Sequence, residues 1–285
     1  MKLQFITKFI IVFLSVLFIF LLYFLVSFKE VVSNNKYSLE KDGVYVIPRV
    51  LNSSEIQKMK YLQSVKLYEQ IKQFLLHHHK LNSECKAQAG PDYLFQDYIW
   101  IIEKSAVHTC HRDNNGDFFN KNQKYPSYTV LVFIEPMEKC LGVIPCSHLN
   151  KQSFNFNYKN NVVHLLCYPG DAIIFNANII HVGAIHREHH LRYQLKYTHK
   201  DDIQVLDYYQ DFNKILKEEN KLPMELRKIQ KNFSCHFPVL SNLTQSENIR
   251  TSRGSQNGVD IGPMQKMFSL LFYGNSRYYD LPNAF

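Results

Sequence analysis

Residues 169–184 read PGDAIIFNANIIHVGA. A Pro-Gly-Asp turn is followed by a short β-branched run, a break at Asn176–Asn178, and a second run that ends at His181. Runs this short, bounded on both sides by turn residues, read as strands and not as helix. Working outward, YIWIIEK (98–104), AVHTCH (106–111), YTVLVFIE (128–135), VVHLLCY (162–168) and LRYQLKYT (191–198) repeat the pattern. No helical segments alternate with them, so the spacing predicts an antiparallel sandwich or jelly roll, not βαβ units.

On the N-terminal side, DGVYVIPRV (42–50) reads as a strand. Ser53 or Ser54 is positioned to cap a following helix, and apolar residues at Ile56, Met59, Leu62, Val65, Tyr68, Ile71 and Phe74 predict one amphipathic helix running to about residue 76. His77, His78 and His79 then sit at its C-terminal end, where a helix dipole favours cations. On the C-terminal side, 205–218 and 223–231 read as helices, and PMQKMFSLLF (263–272) as one more short helix. The resulting division is an N-terminal anchor (1–30), a polar stalk (31–41), a β core with its leading helix (42–202), and a helical and irregular extension packed on that core (203–285).

The chain has 285 residues, 46% of them hydrophobic, and a formal net charge of +8. That is enough apolar material for one sizeable core. Lys and Arg are dispersed with no dense basic block, which argues against a nucleic-acid-binding surface. Residues 9–28, FIIVFLSVLFIFLLYFLVSF, carry no charge and match the length of a membrane span. A cleaved signal peptide normally has an apolar region of only about 7–15 residues with small residues before the cut, so an uncleaved signal anchor is the expectation. Lys2 and Lys8 precede the span, which orients the N-terminus to the cytoplasm. The expected protein is therefore a single-pass type II membrane protein, with its main domain luminal or extracellular, of endoplasmic reticulum or Golgi type. Sequons at Asn52, Asn232 and Asn242 suit that side. Six cysteines without a CxxC pair leave room for one or two disulfides there, in a pairing the sequence does not reveal.

The chemistry-bearing pattern is His111-Arg112-Asp113 followed downstream by His181. Residues two apart on a strand share a face, so His111 and Asp113 can reach one metal, with His181 as the third ligand. Two imidazoles and one carboxylate leave coordination positions open, the arrangement of non-haem Fe(II) oxygenases. Arg192, near the start of the strand after His181, supplies a planar permanent cation for the distal carboxylate of an oxo-acid co-substrate. Arg187 is its rival but falls in the intervening loop, with His186, His189 and His190. His108 falls on the other face of the strand from His111. The second HxD, His199-Lys200-Asp201, has only His236 downstream, with no strand-turn-strand before it.

These residues resemble the iron(II)- and 2-oxoglutarate-dependent dioxygenases, in particular their phytanoyl-CoA dioxygenase-like branch, over roughly residues 42–200. DGVYVIPRVLNSSEI resembles that family's opening strand and helix, HRD its metal motif, and PGDAIIFNANIIHVGA the strand pair ending in the distal histidine. LGVIPCSH (141–148) resembles its Pro-Gly-Ser-His turn, with Cys146 where Gly is usual. The resemblance implies a double-stranded β-helix with the triad at one mouth. It also implies Fe(II), 2-oxoglutarate and O2, with succinate and CO2 released and a substrate C–H bond hydroxylated. Asp113 argues against a halogenase of this family, which lacks the carboxylate. Tyr98 and Tyr128 are further candidates for co-substrate contact. Ascorbate dependence is expected of an enzyme that must keep iron reduced in a lumen. The primary substrate is unidentified: a protein side chain, a lipid or a small molecule. The alternatives are a catalytically inactive, membrane-tethered binding module on the same barrel, or a zinc hydrolase.

Overall fold

The computed structural model describes residues 2–26, 31–34, 36–104, 109–113, 122–137, 139–149, 162–185, 190–217 and 219–236, with positions 262–263, 266–267, 270–271 and 283–285 near the C-terminus. His108, His186, Arg187, His189, Asn242 and half of the 263–272 run lie outside the described residues.

Helix α1 (Lys2–Val26) comes first. At 1.5 Å per residue its 25 residues extend about 37 Å. Its window Ile6–Tyr23 has mean hydropathy 2.6 and none of its residues is buried, so the folded domain leaves most of this apolar surface open. Strand β1 (Val31–Ser33) follows almost at once, so the expected stalk instead contributes a strand.

The body is mainly β with flanking helices. The elements after β1 are β2 (Val44–Ile47), α2 (Ser53–Ser64), α3 (Tyr68–Leu76), α4 (His79–Ala89), β3 (Tyr93–Phe95), β4 (Tyr98–Ile102), β5 (Tyr128–Phe133), β6 (Leu141–Val143), β7 (Val163–Leu165), β8 (Ala172–Asn176), β9 (His181–Gly183), β10 (Arg192–His199), β11 (Phe212–Leu216) and α5 (Met224–His236). The larger sheet runs β11-β4-β10-β5-β8-β2, with β3 also paired to β10. The smaller runs β1-β7-β6-β9. Pairing is antiparallel except for β1 with β7 and β11 with β4.

Every residue of β5, YTVLVF, is buried because the strand is covered on both faces. Tyr128, Val130 and Val132 turn outward with Ile174, Tyr193, Leu195 and Tyr197 and pack under Met59, Ile71, Leu75 and Leu81 of the helices. Leu131 and Phe133 turn inward with Ile173 and Phe175 and meet Leu141, Val143 and Leu165 of the smaller sheet. The two sheets therefore pack face to face, and strand parity sorts each residue to a helix-side core or to the sandwich interior.

Four local readings change. Asn52, not Ser53 or Ser54, caps α2: its side chain accepts the Glu55 N–H at 3.0 Å while Glu55 accepts the Asn52 N–H at 2.8 Å, a reciprocal capping box. The single amphipathic helix is two, because Lys66 adopts φ +59° and closes α2 before α3 begins. His78 is an N-cap and not a C-terminal cation: its Nδ1 accepts the Leu81 N–H at 3.2 Å and its Nε2 lies 3.1 Å from Glu55. Further on, 205–218 is not a helix. A 3-10 turn at Asp207–Tyr209 leads into β11, whose Phe212, Lys214 and Leu216 alternate inward with period two. The 223–231 reading corresponds to α5, which packs against α1 with Phe233 and Phe20 6.5 Å apart.

Candidate metal centre

Two turns bring His111 and His181 side by side. At the first, Gly170 has φ +92°, and a Cβ there would stand 2.4 Å from the Leu51 carbonyl oxygen, so no other residue fits without displacing backbone. Asp171 locks this turn by accepting the Arg49 N–H at 2.7 Å and the Tyr168 N–H at 2.8 Å. At the second, Cys146 occupies the position where Gly was usual and adopts φ +65°. The turn thus keeps its left-handed conformation with a β-carbon present, which costs about 1–2 kcal/mol. Ser147 Oγ then accepts the Ile180 N–H at 2.8 Å, directly before His181.

His111 and His181 are antiparallel bridge partners, each N–H donating to the other's carbonyl at 2.9 Å. The buried Arg112 between His111 and Asp113 donates from Nη1 to the carbonyls of Ser147 and Asn178, joining the metal motif to both sides of the strand pair. The disulfide Cys110–Cys235 anchors the same segment to α5, and the Cys110 N–H donates to Ser234 Oγ at 2.7 Å.

His111 Nδ1 lies 2.9 Å from the Thr109 carbonyl oxygen and His181 Nδ1 3.1 Å from that of Ile179. A carbonyl cannot donate, so both Nδ1 atoms carry a proton, which leaves Nε2 as the nitrogen each ring can offer a metal. Those Nε2 atoms lie 3.6 and 3.4 Å from Asp113 Oδ1. The three ligand atoms all fall within 4.8 Å of one another. Ligands at right angles on bonds of about 2.1 Å stand about 3 Å apart, so a small inward shift of these side chains would let all three reach one small divalent cation. Among the described residues no other trio of His, Cys, Asp or Glu converges in this way.

The electrostatics suit ligation. Burial and the neighbouring His111 push the His181 pKa down, which favours the neutral imidazole a metal requires. Burial works to raise the Asp113 carboxyl, yet Lys196 and the two imidazoles outweigh it and hold the group well below the usual carboxylate range. Asp113 Oδ2 accepts from Lys196 Nζ at 2.7 Å and from Thr129 Oγ1 at 2.6 Å. Lys196 and Thr129 did not feature in the sequence reasoning. Their one signal is parity: Lys196 is two even steps along β10 from Arg192, and Thr129 shares the inward face of β5 with Leu131.

Arg192 lines the pocket in front of the triad with Gln194, Trp100, Leu131, Phe175 and Leu216. Tyr98 is on the inward face of β4 but one layer back, stacked on Phe212 at 4.4 Å with its hydroxyl 3.3 Å from Gln194 Nε2. Tyr128 is on the wrong face: it packs in the helix-side core 5.3 Å from the Tyr93 ring, across the sheet from the metal ligands. The second HxD holds no metal-like cluster. His199 Nδ1 accepts the Asp201 N–H at 3.3 Å, capping a 3-10 turn, and its ring stacks on Tyr125 at 3.7 Å. A larger groove of about 580 Å³, bordered by Arg49, His77, His78 and Lys80, lies elsewhere. It holds the His78–Glu55 pair but, among the described residues, no third ligand converges on that pair, so size does not select the site.

No protein-family model matches the chain, and no curated protein matches it in sequence. Similar solved structures include the non-haem alpha-ketoglutarate-dependent epimerase SnoN from nogalamycin biosynthesis, at 15% identity over 56% of this chain and 78% of that one, TM-score 0.45. AviO1 from Streptomyces viridochromogenes Tue57 gives 14% identity over 57% and 92%, TM-score 0.44. HygX from Streptomyces hygroscopicus, solved with nickel and 2-oxoglutarate bound, gives 14% identity over 57% and 84%, TM-score 0.44. At these values the functional reading rests on the chain's own residues.

Proposed function

We propose that the chain is an Fe(II)- and 2-oxoglutarate-dependent dioxygenase of the phytanoyl-CoA dioxygenase-like branch, built on a double-stranded β-helix, that hydroxylates a C–H bond of a protein side chain, a lipid or a small molecule. The observation that carries this reading is the convergence of His111, Asp113 and His181 on one point, with the outer carboxylate oxygen already engaged. His111, Asp113 and His181 would hold Fe(II), which supplies O2 activation coupled to oxidative decarboxylation of 2-oxoglutarate to succinate and CO2. The chain's own part is positional. The backbone carbonyls of Thr109 and Ile179 fix the imidazole tautomers, and Arg192 on the pocket wall offers its guanidinium to the distal carboxylate of the co-substrate. Trp100, Leu131, Phe175 and Leu216 make much of the remaining wall apolar, with Gln194 polar among them, so water is disfavoured beside the reacting carbon.

The same proposal places the protein in a membrane through α1, with the barrel on the luminal or extracellular side and ascorbate as reductant. The apolar, largely exposed surface of α1 and the Cys110–Cys235 bond support this, since disulfides persist in oxidising compartments. The test is succinate release from 2-oxoglutarate by the full chain, purified in detergent and loaded anaerobically with Fe(II), with and without ascorbate. Turnover is expected in the wild type and absent in Asp113→Ala and His181→Ala. Equal succinate release from all three would sink the assignment.

A further inference from the structure

Lys196 is 3% exposed as a side chain, and its ammonium sits 2.7 Å from Asp113 Oδ2 and 2.7 Å from Thr129 Oγ1. The Tyr209 and Tyr98 ring centroids lie 4.9 and 5.8 Å from it, forming an aromatic wall behind the charge. Lys196 does not border the pocket where Arg192 stands. It lies behind the carboxylate, on the side away from the imidazoles. A buried carboxylate with no cation beside it is costly, and a site built to receive a divalent cation is in that condition whenever it is empty.

We propose that Lys196 is a resident counter-cation for the metal centre, a positioning residue that acts through Asp113. Together with Thr129 it occupies the outer carboxylate oxygen, so only Oδ1 faces the imidazole nitrogens. It also neutralises Asp113 before any metal arrives, which keeps the empty site folded and the ligand aimed. The cost is repulsion: with the imidazoles neutral, as ligation requires, one carboxylate and one ammonium sum to zero, so the incoming divalent ion loses the long-range pull of an uncompensated carboxylate. The metal is therefore held more loosely than the three ligands alone would hold it. This inference rests on the reading of His111, Asp113 and His181 as metal ligands, and it goes beyond that reading by assigning a fourth residue and a direction of effect.

The experiment uses the full chain in detergent, stripped by chelator, with Mn(II) or Co(II) as oxygen-stable probes. Metal affinity is measured by titration, and thermal unfolding is followed with and without metal. Lys196→Met is expected to melt well below wild type when empty, to recover most of the difference on metal addition, and to bind metal tenfold or more tightly. Lys196→Arg, which keeps the charge, should restore wild-type values for both. Thr129→Val should move both readouts in the same direction as Lys196→Met by a smaller amount, and it decides the matter if Lys196→Met does not fold. A lysine that only fills space would lower the melting temperature of both forms equally and leave affinity unchanged; that result, or weaker metal binding, overturns the proposal. A wild-type chain that takes up neither ion would overturn the metal-centre reading as well, and it is recognised before any substitution is made.

Discussion

The two faces of β10 divide the protein's work. Tyr193, Leu195 and Tyr197 point to the helix-side core and are fully buried, while Arg192, Gln194 and Lys196 point into the sandwich. One strand therefore carries stability on one face and chemistry on the other, alternating residue by residue. Helix α1 is the opposite case, apolar along its span with no residue of that span buried and with α5 alongside it. An apolar face is thus not by itself evidence of core: β10 buries one side because helices are packed over it, whereas the span of α1 is left largely exposed.

The sharpest way to break the β10 comparison is to exchange the expected readouts. Leu195→Ala on the helix-side face should cost about 2–5 kcal/mol in urea unfolding and leave the metal affinity of the folded fraction unchanged; a selective loss of metal binding would mean the faces are not separable. On the inward side, Lys214 of β11 is buried and its pKa is pushed down by burial to about 8 from 10.5. Its charged form is disfavoured in the folded state, so wild-type stability should rise between pH 8 and 10.5, where the folded chain sheds a proton that the unfolded chain keeps. Lys214→Met should be the more stable protein at pH 7, on the order of 2 kcal/mol, with the gap closing as the pH passes 8; a gap independent of pH would contradict this.

Arg192→Met should leave thermal stability nearly unchanged while weakening 2-oxoglutarate binding roughly 10- to 100-fold, the loss of a charge-assisted pair of about 1.5–3 kcal/mol; unchanged binding by calorimetry would remove Arg192 from the site. The smallest effect is expected at Cys146. Cys146→Gly relieves a left-handed residue outside both faces and should stabilise the fold by about 1 kcal/mol without altering metal affinity. A destabilised Cys146→Gly would show that the side chain itself supports the turn.

How far the sequence could be read varied with the range of the interaction. Strand alternation is local, so HxD spacing, the Gly-Asp turn and the run ending at His181 were all visible along the chain. The same alternation in Phe212, Lys214 and Leu216 passed for a helix because the neighbouring tyrosines carry no clear period. Lys66 ended α2 through a backbone dihedral that no side-chain pattern announces. Tyr128, a candidate for co-substrate contact, falls on the face away from the triad, which becomes visible only once Thr129 and Asp113 are brought together.

By itself the sequence determined the strand-rich core, the apolar N-terminal helix and the identities of three metal-ligand candidates, because each depends on the spacing of neighbours. Only the tertiary structure decided that Lys196 sits against Asp113, that Cys110 pairs with Cys235, and that residues beyond β10 return as β11 to extend the larger sheet. Those contacts join residues 83 and 125 positions apart in the first two cases. Over such separations the chain's path, and not any local preference, sets which charge meets which.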